Sequence, residues 1–277
     1  MCNTFVLQPD LYRLDKGDKA MDITLWEGKI PYYTEEYDTP NSMTPYLVKT
    51  WHKLPAVVVL PGGGYIKRAE HEGEDIAKFY NDRGIHAFVV NYRLHPNMFP
   101  CALADAQRAI KIIKARAEEL KVDENRIFVI GFSAGGHLAS CVATLEDYSK
   151  IGDEYDDVSP SVTGAILSYA VTSARVEDGI SDGAGKITDR SNEMLEKLTT
   201  YTKINENTPP CFIWHTANDE VVPVSHALKF AMGLSAHNVP FELHIFPDGH
   251  HGLGLAKFYK DISKWPDLSV EWIQNNF

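Results

Sequence analysis

Apolar positions along this chain follow two rhythms. Largely apolar runs at 56–60, 86–92, 127–130, 164–170, 211–216 and 241–246 predict buried strands. Between them, apolar residues recur at helical spacing. This predicts helices over 72–83, closed by Gly84, over 101–120 behind Pro100, from 134 onward, over 223–237 and over 268–275. Strands alternating with helices, with the strands largely apolar, point to an α/β fold: a mostly parallel central sheet covered by helices on both faces. The first 50 residues are less regular, with strand candidates at 21–30 and 46–50 between proline-marked turns. Residues 171–207 interrupt the alternation. They are polar, contain Gly179, Gly183 and Gly185, and hold one helical run near 191–199, which predicts an insertion or lid within a single domain of 1–277.

Composition narrows the field. With 27 Lys and Arg against 38 Asp and Glu, the formal net charge of −11 repels nucleic acid and anionic lipid. No apolar run approaches the roughly 18 residues of a membrane helix. The start of the chain, Met1 to Phe5, lacks the basic-then-apolar pattern of a signal peptide, so a cytoplasmic location is expected. Cys2, Cys101, Cys141 and Cys211 are scattered without metal-ligand spacing, and the last two fall inside predicted elements as small core residues.

The candidate chemistry begins at Gly131-Phe132-Ser133-Ala134-Gly135, where a strand becomes a helix. Glycines two residues before and two after remove side chains where the elements come closest. Ser133 can then take a strained turn with its hydroxyl presented at the carboxyl end of the sheet. A serine nucleophile needs a base, and the base an orienting acid. In a sheet of this kind the order Ser, acid, His places the acid in the loop after 211–216, where Asp219 is the candidate and Glu220 the nearest substitute. His250 and His251, in the glycine-rich loop after 241–246, are the candidate bases. A metal site built from that pair with His215 or His244 would lack any known ligand spacing. Backbone donors for a developing oxyanion are available from Gly62, Gly63 and Gly64 after an early strand, and from the Ala134 amide. Tyr65, next to those glycines, is a candidate substrate contact. Asp105 reads as a helix-dipole charge and 152–158 as a solvated acidic loop.

Taken together, "PGGGY", "VNYRLHPNMFP", "GFSAGGH", "HTANDEVVPV" and "FPDGHHGLGLA" resemble the α/β-hydrolase superfamily. Within it they resemble the bacterial acetylxylan-esterase-like or sugar-hydrolase group related to the hormone-sensitive-lipase esterases. Pro61 stands where the lipase relatives carry His before the three glycines, as is usual in the sugar-esterase group. The resemblance implies Ser133 as nucleophile, Asp219 as acid, His251 rather than His250 as base, and the amides of Gly63, Gly64 and Ala134 as the oxyanion hole. It implies that Tyr92 and Arg93 brace a nearby loop. The implied activity is a serine carboxylesterase acting on short acyl esters, acetyl above all, of sugars or hemicellulose oligosaccharides, with no metal or organic cofactor. The expected partner is an ester substrate, neither nucleic acid nor membrane, with a homodimer left open. A peptidase or amidase (formamidase-like) of the same fold, and a non-catalytic binding protein on the same scaffold, are the competing readings.

Overall fold

Strand β1 (Ile23–Thr24) and strand β2 (Ser42–Tyr46) form one edge of a sheet whose middle is built from largely apolar segments. These are β3 (Leu54–Leu60), β4 (His86–Asn91), β5 (Val122–Phe132), β6 (Gly164–Ser168) and β7 (Cys211–Thr216), and the part-exposed β8 (Phe241–Phe246) forms the other edge. The computed structural model describes residues 21–33, 41–179 and 184–277; the start of the chain with Cys2, and Gly183 of the insertion, lie outside them. Among the described residues the strand order is β1-β2-β4-β3-β5-β6-β7-β8. The pairs β1–β2 and β2–β4 are antiparallel, and every pair from β4 to β8 is parallel.

The largely apolar runs have a direct cause, since both faces of the central strands are covered. Ala56, Val58 and Leu60 face one core, with α2 (Cys101–Ala115), α4 (Ala134–Thr144) and α6 (Ser225–Ala236). Val57 and Val59 face the other, with α1 (Glu74–Asn81) and α7 (Trp265–Asn276). Burying each such side chain contributes roughly 1.5–3 kcal/mol, so register is strongly specified.

Three expectations shift. The strand foreseen at 46–50 lies at Ser42–Tyr46, where burial alternates through Met43 and Pro45. Pro45 is tolerated because β1 pairs only with Ser42 and Met43, so among the described residues β2 has no outer partner at the proline. The strand foreseen at 21–30 shrinks to two residues, and Leu25 and Trp26 instead pack as buried loop residues. The long helix over 101–120 breaks at Arg116 (φ −103°, ψ 19°), and α3 (Ala117–Leu120) follows it, turning Ala117 and Leu120 inward. Lys121 then enters the left-handed region and its carbonyl accepts from the Leu54 amide, leading the chain into β5.

Asp105 is more than a dipole charge. It is buried in a fork with Arg93 (Nη2–Oδ1 2.8 Å) and accepts the Trp26 indole N–H at 2.7 Å. The acidic loop is likewise anchored: Asp153 pairs with the buried Arg108 at 2.6 Å, and the guanidinium lies 4.0 Å from the Tyr155 ring centre. Among the described residues no helix is long and apolar enough to cross a membrane.

The described part of the insertion, including the short helix α5 (Asn192–Lys197), is fastened to the core. Ala184, Ile187, Leu198 and Ile204 are buried in the same cluster as α2 and α4. His226 on α6 accepts from the Thr172 amide at 3.0 Å and donates to the Asp178 carbonyl at 3.2 Å.

Candidate active site

Ser133 follows the last residue of β5 and precedes α4, at the carboxyl end of a central strand. Its backbone is strained, with φ 53° and ψ −117°, a conformation that costs on the order of 1–3 kcal/mol unless the surroundings impose it. Its amide donates to the Ser168 carbonyl, and its own carbonyl accepts from His137 and Val171 amides. The flanking glycines are required by contact: a Cβ on Gly131 would sit 2.0 Å from the Gly135 carbonyl oxygen, and one on Gly135 would sit 2.1 Å from that of Leu60. Strand and helix meet backbone to backbone here.

The loop after β7 carries Asp219 and the loop after β8 carries His251, and the fold brings both to Ser133. His251 Nε2 lies 2.7 Å from Ser133 Oγ, and Nδ1 lies 2.7 Å from Asp219 Oδ2. A carboxylate only accepts, so Nδ1 holds the ring proton and Nε2 is left to accept from the serine hydroxyl. The Asp219 side chain is fully buried, while that of His251 is 15% exposed. Burial alone would raise the Asp219 carboxyl, but hydrogen bonds from His215, His251 and the Val222 amide outweigh it and hold the group well below its ordinary value of 3.8. His250 is turned away: it is exposed, its Nδ1 donates to the His251 carbonyl at 2.7 Å, and its ring edge meets Tyr259. Glu220 is exposed, on the wall of a cleft of about 470 Å³ beside His251 that Asn218, Val221, Asp248 and Tyr259 also line.

The three early glycines differ. The Gly62 amide is taken by the buried Glu72 carboxylate at 2.8 Å, whereas no acceptor among the described residues meets the amides of Gly63, Gly64 or Ala134. No side chain caps α4, so its first amides stay unclaimed beside Ser133.

Tyr65 departs from the expected substrate contact. Its side chain is fully buried and its hydroxyl donates to His137 Nδ1 at 2.8 Å, so it braces the loop from inside and offers no surface to a ligand. The tautomer follows from the other side of the ring, where His137 Nε2 donates to the Leu198 carbonyl at 2.8 Å. Tyr92 does brace the glycine loop, its hydroxyl donating to the Pro61 carbonyl at 2.5 Å.

Three residues have roles that the sequence reading does not assign, His215 entering it only as a possible metal ligand. His215 is fully buried, donates to the Val222 carbonyl at 2.9 Å and lies 3.5 Å from Asp219. Its position four residues before Asp219 was the available signal. Glu72 and Tyr169 are joined at 2.6 Å although 97 residues apart, and nothing local marks that pair. Among the described residues no three His, Cys, Asp or Glu are grouped to hold a metal ion.

An open, mostly parallel sheet with such a serine turn at its centre is the α/β-hydrolase fold. Within that class the chain belongs to the BD-FAE family, which matches residues 46–234. It is 34% identical over 238 residues to endo-1,4-beta-xylanase B of Butyrivibrio fibrisolvens, covering 84% of this chain and 38% of that protein. It is 30% identical over 224 residues to an acetylxylan esterase of Xylanibacter ruminicola, covering 76% of this chain and 45% of the relative. The chain thus spans less than half the length of these two relatives. The crystal structure of an acetyl ester-xyloside bifunctional hydrolase from Caldicellulosiruptor lactoaceticus superposes with a TM-score of 0.87 at 39% identity, covering 92% of this chain and 96% of that one.

Proposed function

We propose that this protein is a serine carboxylesterase that removes short acyl groups, acetyl in particular, from hemicellulose-derived sugars. The observation that carries the reading is His251 bridging Ser133 Oγ and Asp219 Oδ2 at 2.7 Å on each side. In this reading Ser133 Oγ attacks the ester carbonyl while its proton passes to His251 Nε2. Asp219 holds the ring and stabilises the imidazolium. The tetrahedral oxygen is met by the amides of Gly63, Gly64 and Ala134. His251 returns the proton to the departing alcohol oxygen, leaving an acyl-serine. Water, deprotonated by the same imidazole, then releases the carboxylic acid.

The substrate class has two supports. The acetylxylan esterase and the acetyl ester-xyloside hydrolase among the similar proteins act, by their names, on acetylated xylose polymers or xylosides. The cleft beside His251 also carries Glu220 and Asp248 carboxylates, which suit the hydroxyls of a neutral sugar and repel an acidic one.

Acetate release from p-nitrophenyl acetate and from acetylated xylo-oligosaccharides tests both parts. Ser133→Ala is expected to lower kcat by about 10⁴–10⁶-fold. Full retention of activity would remove Ser133 from the mechanism. Hydrolysis of the aryl ester with none of the oligosaccharide would overturn the substrate class alone.

A further inference from the structure

Glu72 is a fully enclosed carboxylate, 2% exposed, that the mechanism above does not use. It lies on the short turn Glu70–Glu72 between the glycine loop and α1. Its two hydrogen-bond partners are donors, the Gly62 amide to Oε2 at 2.8 Å and the Tyr169 hydroxyl to Oε1 at 2.6 Å, and His71 Nε2 lies 3.7 Å from Oε1.

Each contact leads to a different half of the site. The Pro61–Gly62 peptide unit is gripped at both poles, its carbonyl by Tyr92 and its N–H by Glu72. A peptide held at both ends cannot rotate about its neighbours, which sets the aim of the next two amides, Gly63 and Gly64. The loop also runs against the serine turn, since a Cβ on Gly62 would sit 2.6 Å from the Phe132 carbonyl oxygen and 3.1 Å from Ser133 Cβ. On the other side, the Tyr169 hydroxyl accepts from the Gly254 amide at 2.9 Å, and the Tyr169 ring meets His251 edge-on with centroids 5.0 Å apart. The adjacent His71 donates to the Gly252 carbonyl at 2.9 Å, a second strut to the same loop.

We propose that Glu72 is a positioning residue, its carboxylate joining the oxyanion amides, through Gly62, to the His251 loop, through Tyr169. This rests on the esterase reading above, in which Gly63, Gly64 and His251 act on the substrate. Glu72 touches no reacting atom. Its loss would leave the buried Gly62 amide without an acceptor, and that amide would turn to find one, carrying Gly63 and Gly64 with it.

A purely structural carboxylate would lower stability and leave the kinetics of the folded fraction alone, whereas a positioning residue lowers kcat with little change in KM. Glu72→Gln keeps an acceptor for Gly62 but presents an NH₂ to Tyr169. Tyr169→Phe removes only the hydroxyl. With an acetyl ester substrate and folding checked by circular dichroism, each is expected to lower kcat by roughly 10–100-fold, and Glu72→Ala by about 10²–10³-fold, the scale of losing one oxyanion donor. The double variant Glu72→Gln/Tyr169→Phe should be no worse than the weaker single, as for two ends of one link. An arylboronic acid, which forms a tetrahedral adduct on a reactive serine, should lose affinity in proportion to kcat.

Folded Glu72→Gln and Tyr169→Phe enzymes with kcat within twofold of the parent would overturn the proposal, as would boronate affinity unchanged beside a reduced kcat. If Glu72→Ala fails to fold, these two variants still decide. Ser133→Ala separates the levels: retained hydrolysis in that variant overturns the underlying reading, whereas its inactivity beside unaffected Glu72 variants overturns the positioning role alone.

Discussion

Asp219 is the most heavily engaged of the candidate residues. One oxygen faces His251 at 2.7 Å and His215 at 3.5 Å, and the other accepts from the Val221 and Val222 amides, each at 2.9 Å. The two amides fix the carboxylate before any ligand arrives. Asp219→Asn would keep the shape but offer His251 an amide N–H, which favours the ring tautomer with its proton on Nε2 and leaves no acceptor for Ser133. A fall in kcat of about 10³–10⁴-fold is expected, with KM little changed, measured on an acetyl ester. An unchanged kcat would show that tautomer control is not what Asp219 supplies. Loop composition and chain order pointed to Ser133, Asp219 and the pair His250 and His251, and the family resemblance chose His251 from that pair. Tyr65 adjoins the glycines in sequence without sharing their surface, because its backbone (φ 58°) sends the ring inward to His137. Glu72 and Tyr169 were illegible, since their meaning comes from a contact that exists only once the sheet has formed.

At the level of elements, the central parallel strands β3 to β7 were readable for the same reason that they are stable: two covered faces demand largely apolar sequence. The edge was not. β1 and β2 are short and antiparallel, and the buried Pro45 imitates a break. The insertion shows the limit differently. Its polar sequence predicts an insertion or lid, and in the described residues its polar groups are spent on contacts with the body, His226 taking the Thr172 amide and the Asp178 carbonyl while Thr200 meets Ser140 at 2.7 Å. The described residues of 171–207 are therefore fastened to the body. His226→Ala would strand the buried Thr172 amide, costing about 1–3 kcal/mol, and free the half-buried Asp178 carbonyl to water. Urea unfolding should show that loss, and hydrogen exchange should quicken at 172–178. Unaltered exchange there would mean the segment is held by its apolar contacts instead.

For the molecule as a whole, three buried histidines set the acid limit. Desolvation by burial pushes His86, His137 and His226 down from 6.5 to about 4, because an imidazolium in those places would lose its water. Between those two pH values the unfolded chain binds protons that the folded chain refuses, so stability is full above about pH 6.5 and falls as the pH drops toward 4. Each group contributes on the order of 3 kcal/mol at most. Asp219, with its depressed carboxyl, adds a further loss only below about pH 4, where the unfolded carboxylate starts to protonate. Denaturant midpoints measured from pH 7 to pH 4.5 should therefore decline steadily, and a flat profile would contradict this account. The sheet order has another consequence. Ser133 leaves the central strand β5, while Asp219 and His251 arrive after β7 and β8, the last two strands at the far edge. A chain still being synthesised contains its serine for more than a hundred residues before the base exists. Under the proposed chemistry such an unfinished chain is inert toward the esters around it, and the first turnover announces that the final edge of the sheet has docked.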